Sequence, residues 1–383
     1  MRVAIDARKL FDGGIGTYIR GLLGALAVTH PEAGWTALVD PAEQGRVRWP
    51  GAVSERSVRA GKYGLAEHVA VPAEARRAGA ELLHAPHYTL PLGWTGPSVV
   101  TIHDLIHIRF PRFHPPGAAL YARVVAGLAV RRARVVIADS EATRRDVIEL
   151  LAAPGDKVRV VPLGVARGIR RVDPLEASAF RAERKLPEGF VLYVGARKRH
   201  KNLELLLCAW EEMHENERPP LVISGLPYAA NDPLAALAIA LGVDGCVRFA
   251  GELRDDHELS CLYTCASLLV QPSLAEGFGL PPLEAMACGT PVLSSDAGSL
   301  PEGLGDAAEF LPPRDPDAWA AAVLRLLSDQ ARRAELVERG LKRAATFTWE
   351  RTSAATYAIY EEALAKGSRG LSTRSRRGTR APR

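Results

Sequence analysis

The chain has 383 residues, 47% of them hydrophobic and 24% charged, the balance of a soluble globular protein and too long for one ordinary core, so two domains are expected. The formal charge of +5 misdescribes the body: Lys366, Arg369, Arg374, Arg376, Arg377, Arg380 and Arg383 supply seven positive charges with no acid among them, and the rest of the chain carries −2. Met1–Asp6 reads as a first strand, which excludes a signal peptide there. Asp12-Gly13-Gly14-Ile15-Gly16 follows that strand and opens a helix running to about Val28. Glycines at a helix start permit close approach of an anion or sugar, although a tight strand-to-helix turn needs glycine in any case. Their spacing departs from the dinucleotide fingerprint, so NAD is not implied. The apolar segment Leu22–Val28 is too short to span a bilayer.

Short β-rich runs then alternate with helical segments, the rhythm of parallel sheets covered by helices. Strands are expected at 35–39, 82–85, 99–103, 135–138 and 158–162. His84, His87 and Tyr88 sit at or just past one strand end, where turn structure explains them about as well as ligand contact. His103 and Asp104 close another. An interior strand often ends on a histidine for packing reasons alone. The helix over 118–132 is rich in arginine from Arg123 onward, and either approaches an anionic bilayer or presents a solvated face. A Gly/Arg-rich stretch, Gly164–Asp173, marks the change of domain.

The second half repeats the rhythm, with strands at 190–195, 221–224, 247–250, 268–271, 292–295 and 309–311, and helices over 203–215 and 317–327. After the first of these strands, Arg197, Lys198, Arg199, His200 and Lys201 crowd together. Such self-repulsion marks a solvated turn or a site for a polyanion. Asp255 and Asp256 adjoin a helix start and read as caps. No Asp-x-Asp pair stands at a strand end, so no metal site is expected. Cys261 and Cys265 lack a partner pair with zinc spacing, and the five cysteines make no disulfide framework; reduced thiols in a cytoplasmic protein fit best. The tail 367–383 has too few apolar residues to fold. It is either a solvated disordered end or a contact for anionic lipid or nucleic acid, and nothing outside the tail suggests nucleic acid.

The densest signal lies at 275–291, Ala-Glu-Gly-Phe-Gly-Leu-Pro-Pro-Leu-Glu-Ala-Met-Ala-Cys-Gly-Thr-Pro. Gly277 and Gly279 let the backbone turn where a side chain would block a ligand. Pro281 and Pro282 suit a first helical turn, and Gly289 and Pro291 a helix stop. Free amides at that helix start suit a phosphate, leaving Glu276 and Glu284 for hydroxyl groups. A glycine-rich anion cradle with two hydroxyl acceptors describes a nucleotide-sugar site.

This stretch resembles the Glu-x7-Glu signature of retaining glycosyltransferases of family 4, and the likeness extends from about Val3 to about Leu364. The resemblance implies the GT-B fold: α/β, two Rossmann-like domains facing across a cleft, with the last helix crossing back to the first domain. The boundaries become 1–168 for the acceptor domain, 169–348 for the donor domain, 349–366 for the crossover helix and 367–383 for the tail. It implies a nucleoside diphosphate sugar as donor substrate, no cofactor and no metal, and a hexosyl transfer with retention.

By the same likeness, Gly14 and Gly16 line the cleft near the donor phosphate, and His103 contacts the transferred sugar, its neutral ring donating to a hydroxyl. Asp104 orients that ring or caps the next segment. Arg197 and Lys201 hold the diphosphate, though Ala196 stands where the family usually has arginine. Glu252 and Leu253 wall the base and ribose pocket. Glu276 holds a sugar hydroxyl beside Gly277, Phe278, Gly279 and Leu280, and Glu284 holds the ribose. His84, His87 and Tyr88 are acceptor-side candidates. Likeness to bacterial enzymes of surface polysaccharide makes GDP-mannose the first donor expected, with a glycan or lipid-linked acceptor and a cytoplasmic, peripherally membrane-bound location. The competing readings are a noncatalytic scaffold of the same fold, or a two-domain phosphorylase or epimerase.

Overall fold

The structure, a computed structural model, describes residues 1–225, 232–251 and 253–374, with backbone alone over 366–374. It divides into two compact units: Met1–Gly164 with Trp349–Arg383, and Val165–Thr348. The first unit holds strands β1 (Arg2–Asp6), β2 (Gly34–Val39), β3 (Val53–Ser57), β4 (Leu82–Ala85), β5 (Ser98–Ile102), β6 (Val135–Ala138) and β7 (Val158–Val160). The second holds β8 (Val191–Val194), β9 (Leu221–Ser224), β10 (Val247–Gly251), β11 (Leu268–Gln271), β12 (Val292–Ser295) and β13 (Glu309–Leu311). Every pairing is parallel, in the orders β3-β2-β1-β4-β5-β6-β7 and β10-β9-β8-β11-β12-β13. Both units are therefore Rossmann-like.

The interior strands are apolar on both faces because helices cover both. β3, Val-Ser-Glu-Arg-Ser, escaped the sequence reading because it carries almost no apolar pattern. It is an edge strand, paired only with β2, and polar side chains on an edge discourage pairing with other chains. Trp210 and Trp319 fill the core of the second unit.

The helix Trp349–Arg374 belongs to the first unit and packs on the helix Gly13–Thr29. Contact is closest at Gly21, where an added Cβ would lie 2.1 Å from Trp349 Cε2. Higher up, Tyr357 stacks on His30 with ring centroids 3.7 Å apart. The expectation of a disordered tail from residue 367 needs correction over 367–374, where the backbone stays helical. Extending an existing helix adds a hydrogen bond for each residue fixed, whereas only nucleation is costly. The rest of the tail, 375–383, lies outside the described residues.

Candidate active site

In an open parallel sheet, ligands sit beyond the carboxyl ends of the strands where the strand order reverses. In the second unit that reversal falls between β8 and β11, so the segments leaving those two strands flank the crevice. They carry the cationic run 197–201 and Glu276.

The two segments are stitched together. Asn202, at φ +59°, donates from Nδ2 to Pro272 O at 3.0 Å and to Pro313 O at 2.9 Å, and Leu274 N donates to His200 O at 2.8 Å. That frame brings Lys201 Nζ within 2.7 Å of both Glu276 oxygens. Gln271 Nε2 and Ser273 Oγ each donate to Glu276 Oε1 at 2.7 Å. Burial opposes ionisation of Glu276, whose side chain is 8% exposed. The charge and hydrogen bonds of Lys201, the Ser273 bond and the His200 charge together outweigh it and hold the carboxyl below its usual range. Glu276 thus remains a hydrogen-bond acceptor. Two of the three Lys201 protons are committed to it.

Gly279 sits at φ +93°, at the N-cap of the helix Leu280–Ala287. A side chain there would be strained, and its Cβ would press on Leu300 at 2.8 Å. Phe278 turns its ring inward against Phe347, with centroids 5.7 Å apart. Glu284, half-buried within that helix, accepts from the Tyr263 hydroxyl at 2.9 Å. Burial raises its carboxyl to about 7, the Tyr263 bond opposing and the Asp256 charge assisting.

Arg197 is placed differently from Lys201. It pairs with Asp232, the cap of the helix Pro233–Ala240, and lies over Phe249 at 5.5 Å. Lys198 and Arg199 are exposed. Leu253 follows β10, half-buried, and Glu252 lies outside the described residues. Asp255 caps its helix, accepting from Glu258 N at 2.9 Å. Among the described residues no cluster of three or more metal-ligating side chains occurs.

In the first unit, Gly14 and Gly16 lie within the first turn of the helix Gly13–Thr29 rather than before it. A Cβ on Gly16 would meet Leu10 O at 2.5 Å, whereas Gly14 is open. His103 is the first residue past β5. Its Nδ1 lies 2.6 Å from Asp139 Oδ2 and its Nε2 lies 3.1 Å from Pro86 O. Both partners are acceptors, so a proton on each ring nitrogen suits this geometry. The ring nitrogens, expected to face a hydroxyl, are both engaged within the first unit. Burial opposes the charge on His103, but Asp139, with lesser help from Asp104 and Pro86, raises its pKa. Asp139 is the orienting group. Asp104 instead caps the following turn, accepting from Ile106 N at 3.0 Å.

His84 is corrected more sharply. It is wholly buried, with Nδ1 2.7 Å from Tyr360 Oη and Nε2 2.8 Å from Thr101 Oγ1. Burial lowers its pKa to about 3, so it is a neutral bridge between β4 and the last helix, out of reach of an acceptor. His87 and Tyr88 do stand past β4, with ring centroids 3.8 Å apart. His87 is held near Tyr63 Oη at 3.3 Å.

Sequence reasoning missed Asp139, Gln271, Ser273, Tyr263 and Asp232. Asp139 and Gln271 left a signal, a polar residue at the mouth of an apolar strand; Tyr263 left none.

Family models agree with this geometry, matching Glycosyltransferase Family 4 over residues 12–167 and glycosyl transferases group 1 over 176–343. The O-antigen chain mannosyltransferase B of Escherichia coli is 32% identical over 73% of this chain and 74% of its own length. The chain belongs to glycosyltransferase family 4. Within the family it is also similar to the D-inositol 3-phosphate glycosyltransferase of Kineococcus radiotolerans, 32% identical over 76% of this chain and 74% of that one. The fold matches HepE of Anabaena, solved in complex with UDP-glucose, at a TM-score of 0.76 and 17% identity, covering 94% of this chain and 100% of that one. The two parallel-sheet units are those of the GT-B fold.

Proposed function

We propose that this family 4 enzyme moves a hexosyl group, mannose first among the candidates, from a nucleoside diphosphate sugar to a glycan or lipid-linked acceptor, with retention and without a metal. The observation that carries the reading is the Lys201–Glu276 pair at the β8/β11 reversal, beside the start of the helix Leu280–Ala287. A cation and a helix start favour a diphosphate as charge develops on the leaving oxygen. Glu276 receives a sugar hydroxyl and Glu284 the ribose. His103, paired with Asp139, supplies positive charge at a strand mouth of the first unit when its ring is protonated.

Three donors on Glu276 make it a poor nucleophile, which favours a single front-face step over a covalent intermediate. In that step the bond from C1 to the phosphate oxygen breaks while the acceptor oxygen bonds C1 on the same face. The acceptor proton passes to the leaving phosphate. A mannose-transferring relative supports GDP-mannose, and its printed role in O-antigen chains supports a polysaccharide acceptor; an inositol phosphate acceptor is the second reading, supported by the other relative. Titrations with GDP, UDP and ADP, followed by transfer assays with the matching sugars, test the donor. NMR of the product anomer tests retention. Absence of diphosphate binding, or an inverted product, refutes the reading. Full loss of turnover in chelator refutes metal independence.

A further inference from the structure

The first sheet has its own reversal of strand order, between β1 and β4, and the segments leaving those two strands flank a cleft. Asp6, Arg8 and Lys9 line it from the β1 side, Pro86 and His87 from the β4 side, and Lys62 closes it. Pro86 O is also the acceptor facing His103 Nε2 at 3.1 Å, so the cleft and His103 share a wall.

The charges of the cleft cancel. Arg8, 4% exposed, is spent on Asp6 at 2.7 Å and on Glu67 at 3.0 Å, and Lys62 pairs with Asp12 at 2.7 Å. With Lys9, three cations stand against Asp6, Glu67 and Asp12, so no net charge is left to draw an anion. Size argues the same way. The cleft offers about 10 Å³ to the centre of a water-sized group, room for one hydroxyl and not for a phosphate. One polar atom of its lining is unanswered. His87 is 9% exposed, and its Nδ1 is buried with no hydrogen-bond partner among the described residues, whereas its Nε2 lies 3.3 Å from Tyr63 Oη. Burial, with the Lys9 charge second, lowers the His87 pKa to about 2, so the ring is neutral and Nδ1 exchanges one hydrogen bond with a hydroxyl.

Aromatic rings rim the cleft. Tyr63 has φ +62°, a left-handed backbone that a bulky residue keeps only under constraint. Glu67 supplies the constraint: its Oε2 accepts from Tyr63 N at 3.0 Å while it also holds Arg8. The buried Asp6–Arg8–Glu67 network thereby sets the Tyr63 ring against the cleft, 4.0 Å from Lys9 Nζ and 5.5 Å between centroids from His87. The Tyr88 ring stands 6.4 Å from that of Tyr63, and Tyr121 is near enough to bear on the ionisation of both. Tyr63 and Tyr121 remain 46% and 47% exposed. Ring faces around a few convergent polar groups suit a pyranose, whose C–H faces stack while its hydroxyls hydrogen-bond.

We infer that the cleft between β1 and β4, rimmed by Tyr63, Tyr88 and Tyr121, is the subsite for the accepting end of a neutral saccharide, with one pyranose hydroxyl on His87 Nδ1. The inference rests on the glycosyl-transfer reading above and selects a neutral glycan end over an inositol phosphate.

The test titrates the full chain with methyl α-mannoside, α-1,3-mannobiose and N-acetylglucosamine, and separately with myo-inositol 3-phosphate, by calorimetry and saturation-transfer NMR. At least one of the saccharides is expected to bind, with saturation reaching its ring C–H protons. Tyr63→Ala/Tyr121→Ala should weaken that binding about tenfold, and Tyr63→Phe/Tyr121→Phe, which keeps the ring faces, should recover most of it. Both side chains are half exposed, so the variants should melt like wild type; Tyr121→Ala alone, with no strained backbone at its site, should show part of the loss. GDP and UDP titrations report separately on the donor site and should be unchanged in every variant. Nucleotide binding without saccharide binding overturns the subsite alone, and saccharide binding without nucleotide binding overturns the donor reading alone. Two further results overturn the subsite: saccharide binding that the alanine variants leave intact, or inositol phosphate binding that Lys9→Met abolishes and the tyrosine variants keep.

Discussion

Replacing Lys201 by Met keeps the length of the side chain and removes the charge 2.7 Å from Glu276. The gross attraction across that distance is about 6 kcal/mol at an effective dielectric near 20, offset by the desolvation of both groups. Lys201 is 18% exposed and Glu276 8%, so the pair behaves as buried. Removing one partner should cost about 2–4 kcal/mol, most of it the penalty of a stranded carboxylate. For a unit the size of Val165–Thr348 that is a fall in melting temperature of about 5–12 °C.

The pH dependence carries the sign. Glu276 is held below its usual range, so its contribution is present above the unfolded value of about 4.3 and is lost as pH falls through the folded one. In Lys201→Met the stranded carboxyl takes up its proton above the ordinary range, and in wild type below it, so the gap should narrow progressively on acidification from neutral pH. Glu276→Gln in the Lys201→Met background removes the stranded charge and should recover about half of the loss or more. Thermal melts of the four proteins of this cycle, from acid to neutral pH, provide the measurement. Additivity of the two substitutions within about 0.5 kcal/mol would refute the coupling. So would a gap that does not depend on pH.

Three further outcomes follow from the same geometry. The Glu284 carboxyl, raised to about 7, should make nucleotide binding tighten as pH rises through neutrality, and Glu284→Gln should flatten that slope relative to wild type in calorimetric titrations. Asp139→Asn removes the group that raises the His103 pKa. Stability from that pair is full below about pH 6.5 and lost as pH climbs through the folded value, so urea midpoints of the variant and wild type should converge in alkali and separate in mild acid. Gly21→Ala places a Cβ 2.1 Å from Trp349 Cε2 and should destabilise the first unit by about 1–3 kcal/mol; an unchanged urea midpoint would show that the last helix is not seated there.

Much of this chain is written locally. The β11 strand is an apolar run of three residues closed by Gln271, and the helix after it carries prolines at its start and Gly289 at its stop. Periodicity and punctuation of that kind come from backbone sterics and burial acting within a few residues, so strands, helices and the positions of Lys201 and Glu276 past strand ends and of Glu284 in the following helix were readable without coordinates. What each side chain touches was not. His84 and His87 are three residues apart, yet one is sealed between Thr101 and Tyr360 while the other stands past the strand end beside Tyr63. His103 finds its partner 36 residues away in Asp139, and the adjacent Asp104 is spent on a turn. Lys201 and Arg197 look equivalent in a row of cations, but one meets Glu276 and the other Asp232. A period-2 strand states which face a residue takes; the strand order states which loops become neighbours, and that order is set by non-local pairing that leaves no mark in any short window of sequence.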